Sequence, residues 1–300
     1  LGRIFESRDD FEKSFGFFAN GNMLKNSCVN YDPAVFRNVA KNIIDLFSTR
    51  QPGDEVRTVE NPKTNPILVL GLPRSGTTLI ENVICANSLV FAGGEIGALQ
   101  SIMHGYSKVR QSNLSELISE ISHKYHSRIE EISGRSKYLT DKTCMNFVGL
   151  GFLLAGSPNL RVVSIIRDPM AVAWSNYKRL FASTGQDFTY SLENIYSHTA
   201  VYFQMMKFWE RHFPDKFLNV RYEELTDRPE EVTAAIFNLL GSDFLRVKNF
   251  TEPKPRMIKT ASSSQVREKL YKGSSSQWRN FEPMLRGVSS QFYGLMEKYN

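Results

Sequence analysis

An α/β fold, a parallel sheet flanked by helices and preceded by an α-helical extension, is predicted by three observations. From residue 63 onward, short apolar runs alternate with longer stretches of helical period, the pattern of a parallel sheet covered on both faces. Two of those runs end in polar, turn-forming sequences. Gly71-Leu72-Pro73-Arg74-Ser75-Gly76-Thr77-Thr78 follows Pro66-Ile67-Leu68-Val69-Leu70, and Arg167-Asp168-Pro169 follows a run that closes on Ile165-Ile166. The carboxyl ends of such strands are where ligands bind in an open parallel sheet. Residues 1–62 read as helices, so a boundary falls near residue 62 and the main domain spans 63–300.

In chain order, Leu1-Gly2, Phe5, Ser14, Phe18 and Gly21 stand at the spacing of the latter part of a tetratricopeptide repeat. An ordinary amphipathic hairpin is the alternative. Such a unit cannot bury its face alone, so it either continues a helical array or docks on the main domain. Asp32-Pro33 then supplies an N-cap and a first-turn proline. The helix that follows carries Phe36, Val39, Ile43, Ile44 and Phe47 on one face. Gln51-Pro52-Gly53-Asp54 marks a turn. Beyond it, strands are predicted at 66–72, 89–92, 137–141, 161–166 and 217–221. Helices are predicted at 77–87, 95–109, 113–132, 146–155, 169–182, 191–212 and 229–240. The stretch beyond 255 is rich in Ser and Lys with little period and reads as a long loop.

Three hundred residues suit one sizeable domain with a helical extension. A net charge of +6 comes without clustered Lys/Arg or a nucleic-acid-binding motif, which argues against a nucleic-acid partner and for a multiply charged small ligand. No apolar stretch approaches the ~20 residues of a membrane span, and no signal-peptide pattern opens the chain. The chain therefore reads as soluble, although it starts at Leu1-Gly2 rather than at a methionine. Cys28, Cys85 and Cys144 lack metal or redox spacing and fit a reducing compartment. His104, His123, His126, His198 and His212 fall on helical stretches without a carboxylate cluster of metal-ligand spacing, so no metal is expected.

The 71–78 loop differs from the P-loop G-x-x-x-x-G-K-[ST] at one position, where Thr77 replaces the lysine. Its glycines, hydroxyls and following helix N-terminus still favour an anion, but the loop does not fit ATP. Ser175 and Arg179, four apart in the helix after Arg167, share a face.

Together the two segments resemble the sulfotransferase family, which uses 3′-phosphoadenosine-5′-phosphosulfate (PAPS) and releases adenosine 3′,5′-bisphosphate (PAP). The resemblance covers about residues 63–280. It is similar within the family to tyrosylprotein sulfotransferases and to bacterial enzymes carrying tetratricopeptide repeats. It implies a P-loop-type sheet in which Arg74, Ser75, Gly76, Thr77 and Thr78 hold the 5′-phosphosulfate. Arg167, Ser175 and Arg179 then match the 3′-phosphate set, and Tyr222 the nucleotide. Glu95, after Gly93-Gly94, looks like the catalytic base; helix-start charge matching is its alternative. Lys142 looks like a donor to the sulfonate or bridging oxygens, with a surface salt bridge to Asp141 as the alternative. Ser262 aligns with a serine that stabilises the transition state, and Lys272, Trp278 and Arg279 lie in a stretch that closes over the nucleotide. Where a lysine is expected before the tryptophan this chain has Gln277, so that contact passes to Lys272 or Arg279.

What this implies is in-line sulfuryl transfer from PAPS to a hydroxyl acceptor without a metal. A protein or peptide tyrosine is favoured, with a carbohydrate or small molecule next, and a homodimer is left open. Two departures count against a secretory tyrosylprotein enzyme. Ile96-Gly97 stands in place of the Thr-Arg that holds an acidic peptide, and Ala92 and Thr140 stand where a disulfide is found. A cytoplasmic, bacterial-type enzyme is the expectation. An ATP-dependent P-loop kinase and a non-catalytic repeat scaffold are the competing readings.

Overall fold

The computed structural model describes residues 1–50, 55–106, 113–134, 136–181, 185–245 and 273–299. The N-terminal helices are α1 (Gly2–Glu6), α2 (Phe11–Asn26) and α3 (Pro33–Ser48). Asp32 caps α3 as its sequence implies, accepting from the Ala34 amide at 2.7 Å. Strand β1 (Asn65–Leu70) follows, then α4 (Thr77–Ile84), β2 (Val90–Ala92), α5 (Ala98–Tyr106), α6 (Leu114–Ser133) and β3 (Tyr138–Asp141). Next come α7 (Asn146–Gly156), β4 (Arg161–Ile166), α8 (Pro169–Tyr177), α9 (Leu192–His212) and β5 (Phe217–Arg221). Helices α10 (Tyr222–Asp227), α11 (Pro229–Leu240), α12 (Ser242–Leu245) and α13 (Glu282–Tyr299) complete the described chain.

The five strands form one sheet in the order β2-β3-β1-β4-β5, and every pairing is parallel. Period-two alternation sends Leu68 and Leu70 to one face and Ile67 and Val69 to the other. The first face packs on α6, α7 and α9 through residues such as Ile121, Phe147, Leu150 and Trp209. The second packs on α4 and α11 through Ile80, Ile84, Ile236 and Phe237. Full burial of each such side chain contributes roughly 1.5–3 kcal/mol, which is why the central strand β1 is apolar on both faces from Ile67 to Leu70. Because β3 and β4 lie on opposite sides of β1, the chain reverses direction across the sheet there. A crevice therefore opens at the carboxyl end of β1.

α3 packs into the first core through Ala40 and Phe47, and a third core holds α2 against α8. Trp174 of α8 meets Phe281 at a ring-centroid distance of 4.4 Å and receives Phe15 and Phe18 of α2 at 5.8 and 5.9 Å. Ser14 Oγ donates to the Gly2 carbonyl at 2.9 Å, tying α1 to α2.

Three expectations are corrected. Beyond 255, where the sequence reads as a loop, residues Gln277–Phe281 form a 3-10 turn and Glu282–Tyr299 the 18-residue helix α13. Its buried Leu285, Phe292 and Met296 recur at helical spacing but are separated by serine and glycine, which hides the period. The helix expected at 95–109 starts only at Ala98, since Gly94 and Gly97 take left-handed φ values of 67° and 68° that interrupt a helix. The helix expected at 169–182 stops at Tyr177, whose carbonyl is taken by the Asn22 side chain of α2 at 2.7 Å. Arg179 therefore lies past the helix end and does not share a helical face with Ser175.

Candidate active site

The loop between β1 and α4 is held open by unusual backbone. Gly76 caps α4 with a left-handed φ of 114°, and a Cβ there would lie 2.7 Å from the Tyr222 ring. Arg74 also sits in the left-handed region, at φ 72°, a conformation that costs a non-glycine residue energy and collects at functional sites. Helix α8 fixes this loop from the side. Ser175 Oγ accepts from Arg74 Nε at 3.1 Å, and Asn176 Nδ2 donates to the Pro73 carbonyl at 2.8 Å. Ser75, 2% exposed, has a hydroxyl with no hydrogen-bond partner.

Arg167 leaves the end of β4 while its neighbour Asp168 caps α8 through the Ala171 amide at 2.7 Å. One Arg167 nitrogen donates to the Arg74 carbonyl at 3.0 Å, and the guanidinium lies 4.3 Å over the Tyr222 ring. The other two nitrogens reach Ser274 Oγ at 2.9 Å and Ser275 Oγ at 3.1 Å. Tyr222 is thus sandwiched between Gly76 and Arg167. Burial, then Arg179, Arg167 and Arg3, push the Arg74 guanidinium down to about 10. Burial also lowers the Arg167 guanidinium. Such a convergence of partly desolvated cations is stabilised by a multiply charged anion. With the orphaned Ser75 hydroxyl, it fits the 5′-phosphosulfate and 3′-phosphate of the nucleotide that the sequence implies.

A second cluster forms where β2 and β3 end side by side. Lys142, following β3, is 1% exposed, and its ammonium donates to Glu95 Oε1 at 3.2 Å. Asp141 is not its partner: its carboxylate accepts from Tyr125 Oη at 2.9 Å and from the Thr143 amide and hydroxyl at 3.0 and 2.6 Å. Burial thus removes the surface-salt-bridge alternative for Lys142. Glu95 stands in the turn between Gly94 and Gly97, ahead of α5, so it is not placed as a first-turn helix charge. Beside the loop, Leu72, Pro73, Cys144, Met145, Phe188 and His198 line a narrow, almost wholly apolar hollow.

The sequence profile described as the sulfotransferase family matches residues 66–245. The chain belongs to the sulfotransferase family. The family match takes in the 71–78 loop, Glu95, Lys142, Arg167, Ser175, Arg179 and Tyr222, and stops short of Ser262, Lys272, Trp278 and Arg279. An uncharacterized protein of Aquifex aeolicus (strain VF5) is 29% identical over 96% of this chain and 40% of its own length. A candidate protein-tyrosine sulfotransferase of Caenorhabditis briggsae is 29% identical over 59% of this chain and 66% of its own length. The chain therefore spans less than two thirds of either relative. Two solved sulfotransferase domains share the fold at 16% identity. The domain of the Synechococcus PCC 7002 olefin synthase superposes with a TM-score of 0.55 over 83% of this chain and 97% of its own. That of the curacin biosynthetic pathway gives 0.54 over 77% and 96%.

Within this sulfotransferase-family chain the site residues separate into groups. Arg74, Gly76, Arg167, Ser175 and Tyr222 are joined by the contacts above, Ser75 lies between Arg74 and Gly76 with its hydroxyl unmet, and Thr77 and Thr78 open α4, both buried. Glu95 and Lys142 form the second group. Trp278 is buried among Met170, Trp174 and Phe281, and Arg279 stacks on it at 5.2 Å. Ser262 and Lys272 lie outside the described residues. Sequence reasoning missed Ser274, Ser275 and Glu223. Glu223 Oε1 accepts from Ser275 Oγ at 2.7 Å and from the Asp168 amide at 3.1 Å. It also missed Glu81, a buried carboxylate of α4 that accepts from the Gly94 amide at 3.0 Å and the Thr140 hydroxyl at 2.9 Å. A lone charge inside the apolar stretch Leu79-Ile80-Glu81-Asn82-Val83-Ile84 was the available signal. Among the described residues, no three His, Cys, Asp or Glu side chains gather as metal ligands. None of the described helices is long and apolar enough to cross a membrane.

Proposed function

We propose that this chain is a PAPS-dependent sulfotransferase that moves a sulfuryl group to a hydroxyl acceptor and releases PAP. The observation that carries this reading is the pairing of buried Lys142 with half-exposed Glu95 at the carboxyl end of the sheet, where the arginine-lined loop also lies. PAPS supplies an already activated sulfuryl group. On the nucleotide side, Arg74 and the loop residues Ser75, Gly76, Thr77 and Thr78 bind the 5′-phosphosulfate. Arg167, Ser175 and Arg179 bind the 3′-phosphate, and Tyr222 orients Arg167 through the stacked contact. Lys272, Trp278 and Arg279 complete the nucleotide set in this reading.

Glu95 is the general base. Its half-exposed carboxylate can meet an incoming acceptor, take the hydroxyl proton and raise the nucleophilicity of the oxygen that attacks sulfur. Lys142 and Arg74, with Ser262, stabilise the charge that grows on the sulfonate and bridging oxygens as the S–O bond to the nucleotide breaks. The acceptor is a protein or peptide hydroxyl, with tyrosine first. The Caenorhabditis relative's name and the repeat-like spacing of residues 1–25 support this choice, and Ile96-Gly97 points to a peptide less acidic than tyrosylprotein enzymes take. Cytoplasmic placement and a helical extension over residues 1–62, with a partial repeat within residues 1–25, belong to the same reading.

Calorimetric titration with PAP, and separately with ATP plus magnesium, tests it on the unaltered chain and on Arg167→Ala. Micromolar PAP binding that the substitution weakens by about 10- to 100-fold is expected, for the loss of charge-assisted hydrogen bonds. Preferential ATP binding would replace this reading with a kinase. Transfer of label from PAPS to tyrosyl peptides then identifies the acceptor.

A further inference from the structure

Glu81 has no role in the family resemblance, yet it occupies the centre of the second cluster. It is 6% exposed, and its Oε1 accepts from both the Gly94 amide and the Thr140 hydroxyl. Gly94 is the residue before Glu95, and Thr140 lies two residues before Lys142. The Lys142 amide in turn donates to the Gly94 carbonyl at 2.8 Å. One carboxylate of α4 therefore ties together the turn that carries Glu95 and the strand end that carries Lys142.

Charge makes the arrangement more than a brace. Lys142 is 1% exposed, and a buried ammonium is strongly disfavoured without a counter-charge. Glu95 from the turn is in contact with it, Glu81 from α4 and the Cys144 thiol interact with it electrostatically, and Asp141 of β3 is its neighbour in the chain. Burial, then Glu95, push that thiol up to about 12, so it is neutral. Asp141 is already engaged by Tyr125 and Thr143. When Glu95 takes the acceptor proton it becomes neutral, and the ion pair that holds Lys142 disappears in the step that needs its charge. Glu81 is the carboxylate left to face it. Burial, with Asp141, leaves the Glu81 carboxyl raised from its ordinary value, against the lowering by Lys142 and the two hydrogen bonds.

We propose that Glu81 is a positioning residue for sulfuryl transfer: it presents Glu95 and keeps the Lys142 ammonium charged while Glu95 is protonated. The proposal rests on the roles given above to Glu95 and Lys142. In the step, the acceptor O–H proton passes to Glu95 and the oxygen–sulfur bond forms. The bridging S–O bond breaks with its electron pair staying on the nucleotide phosphate, where Lys142 donates.

The test uses Glu95→Gln to imitate the protonated base. The charge state of Lys142 is followed by NMR of its side chain across a pH series in Glu95→Gln and in Glu81→Gln/Glu95→Gln. We expect Lys142 to lose its charge at a pH at least about one unit lower in the double variant. Identical titrations would overturn the proposal even if the chain proves to be a sulfotransferase. In otherwise unaltered protein, Glu81→Gln should lower kcat about tenfold or more, leave PAP affinity within about threefold, and move the alkaline limb of the pH–rate profile to lower pH. Glu81→Asp, which keeps the charge, should restore part of kcat. A profile that does not move, with kcat and thermal stability falling together, would reduce Glu81 to a brace and overturn the electrostatic role. Absence of both PAP binding and transfer in the unaltered chain would instead overturn the sulfotransferase reading, and the role of Glu81 in transfer with it, whatever the NMR titration shows.

Discussion

The Lys142 ammonium, 1% exposed, donates to a Glu95 carboxylate that is 53% exposed, across 3.2 Å. One end of this pair is dry and the other wet. The dry end keeps a strong, fixed donor, and the wet end can exchange its partner for an incoming hydroxyl.

Removing the base without removing its shape separates binding from chemistry. Glu95→Gln is expected to lower turnover by about 100- to 10,000-fold with PAP affinity nearly unchanged, as read by steady-state rates beside calorimetry. Equal loss of both would show that Glu95 supports the nucleotide site and not the proton transfer.

Ser75 gives a prediction of opposite sign with and without ligand. Its buried hydroxyl has no partner, and an unmet buried polar group costs about 1–3 kcal/mol. Ser75→Ala should therefore melt at or above the temperature of the unaltered protein without nucleotide, yet bind PAP about tenfold more weakly. A lower melting temperature in the ligand-free state would contradict this account of the hydroxyl.

Gly76→Ala meets two obstacles. The φ of 114° disfavours any Cβ, and the added methyl would sit 2.7 Å from Tyr222 and 3.0 Å from Ile165. A loss of about 2–4 kcal/mol of stability is expected from strain and overpacking together, measurable by urea unfolding. Displacement of Tyr222 should also weaken PAP binding through Arg167, which stacks on it. Unchanged stability would mean that the loop relaxes freely.

Acid sensitivity follows from His198, which is stacked between Phe188 at 3.7 Å and Phe36 at 4.7 Å. Burial lowers it to about 3 from an ordinary 6.5. Between those values the unfolded chain binds a proton that the folded chain does not. Stability present above 6.5 is lost as pH falls, at up to about 1.4 kcal/mol per pH unit. His126, lowered by burial to about 4, acts in the same direction. His198→Phe, which keeps the stack, should show a shallower fall in urea midpoint between neutral pH and about pH 4.5. Parallel slopes for the two proteins would remove His198 from the account.

All five strands were legible to within one or two residues, because buried parallel strands are short apolar runs bounded by turn signals. The helix ends were less so. Gly94 and Gly97 delay α5, and Asn22 from α2 helps end α8. The first signal was local and readable, whereas the second lies more than a hundred residues away in the chain. Helix α13 was not legible because its apolar residues pack on distant parts of the chain, Leu285 and Phe292 with Trp174 and Phe281 and Met296 in the main core, while its own sequence is broken by serine, glycine and charge.

The sequence by itself determined the succession of the five strands and of the helices between them, the anion-binding loop, Arg167 at a strand end and the candidacy of Glu95 and Lys142, since each is written in a contiguous segment. Only the tertiary structure decided that Lys142 is buried, that its partner is Glu95 and not Asp141, and that Glu81 joins them. Residues 81, 95 and 142 are distant in the chain. They meet because parallel pairing of β2 and β3 brings their carboxyl ends to one edge, against α4, and burial then selects which charges must pair.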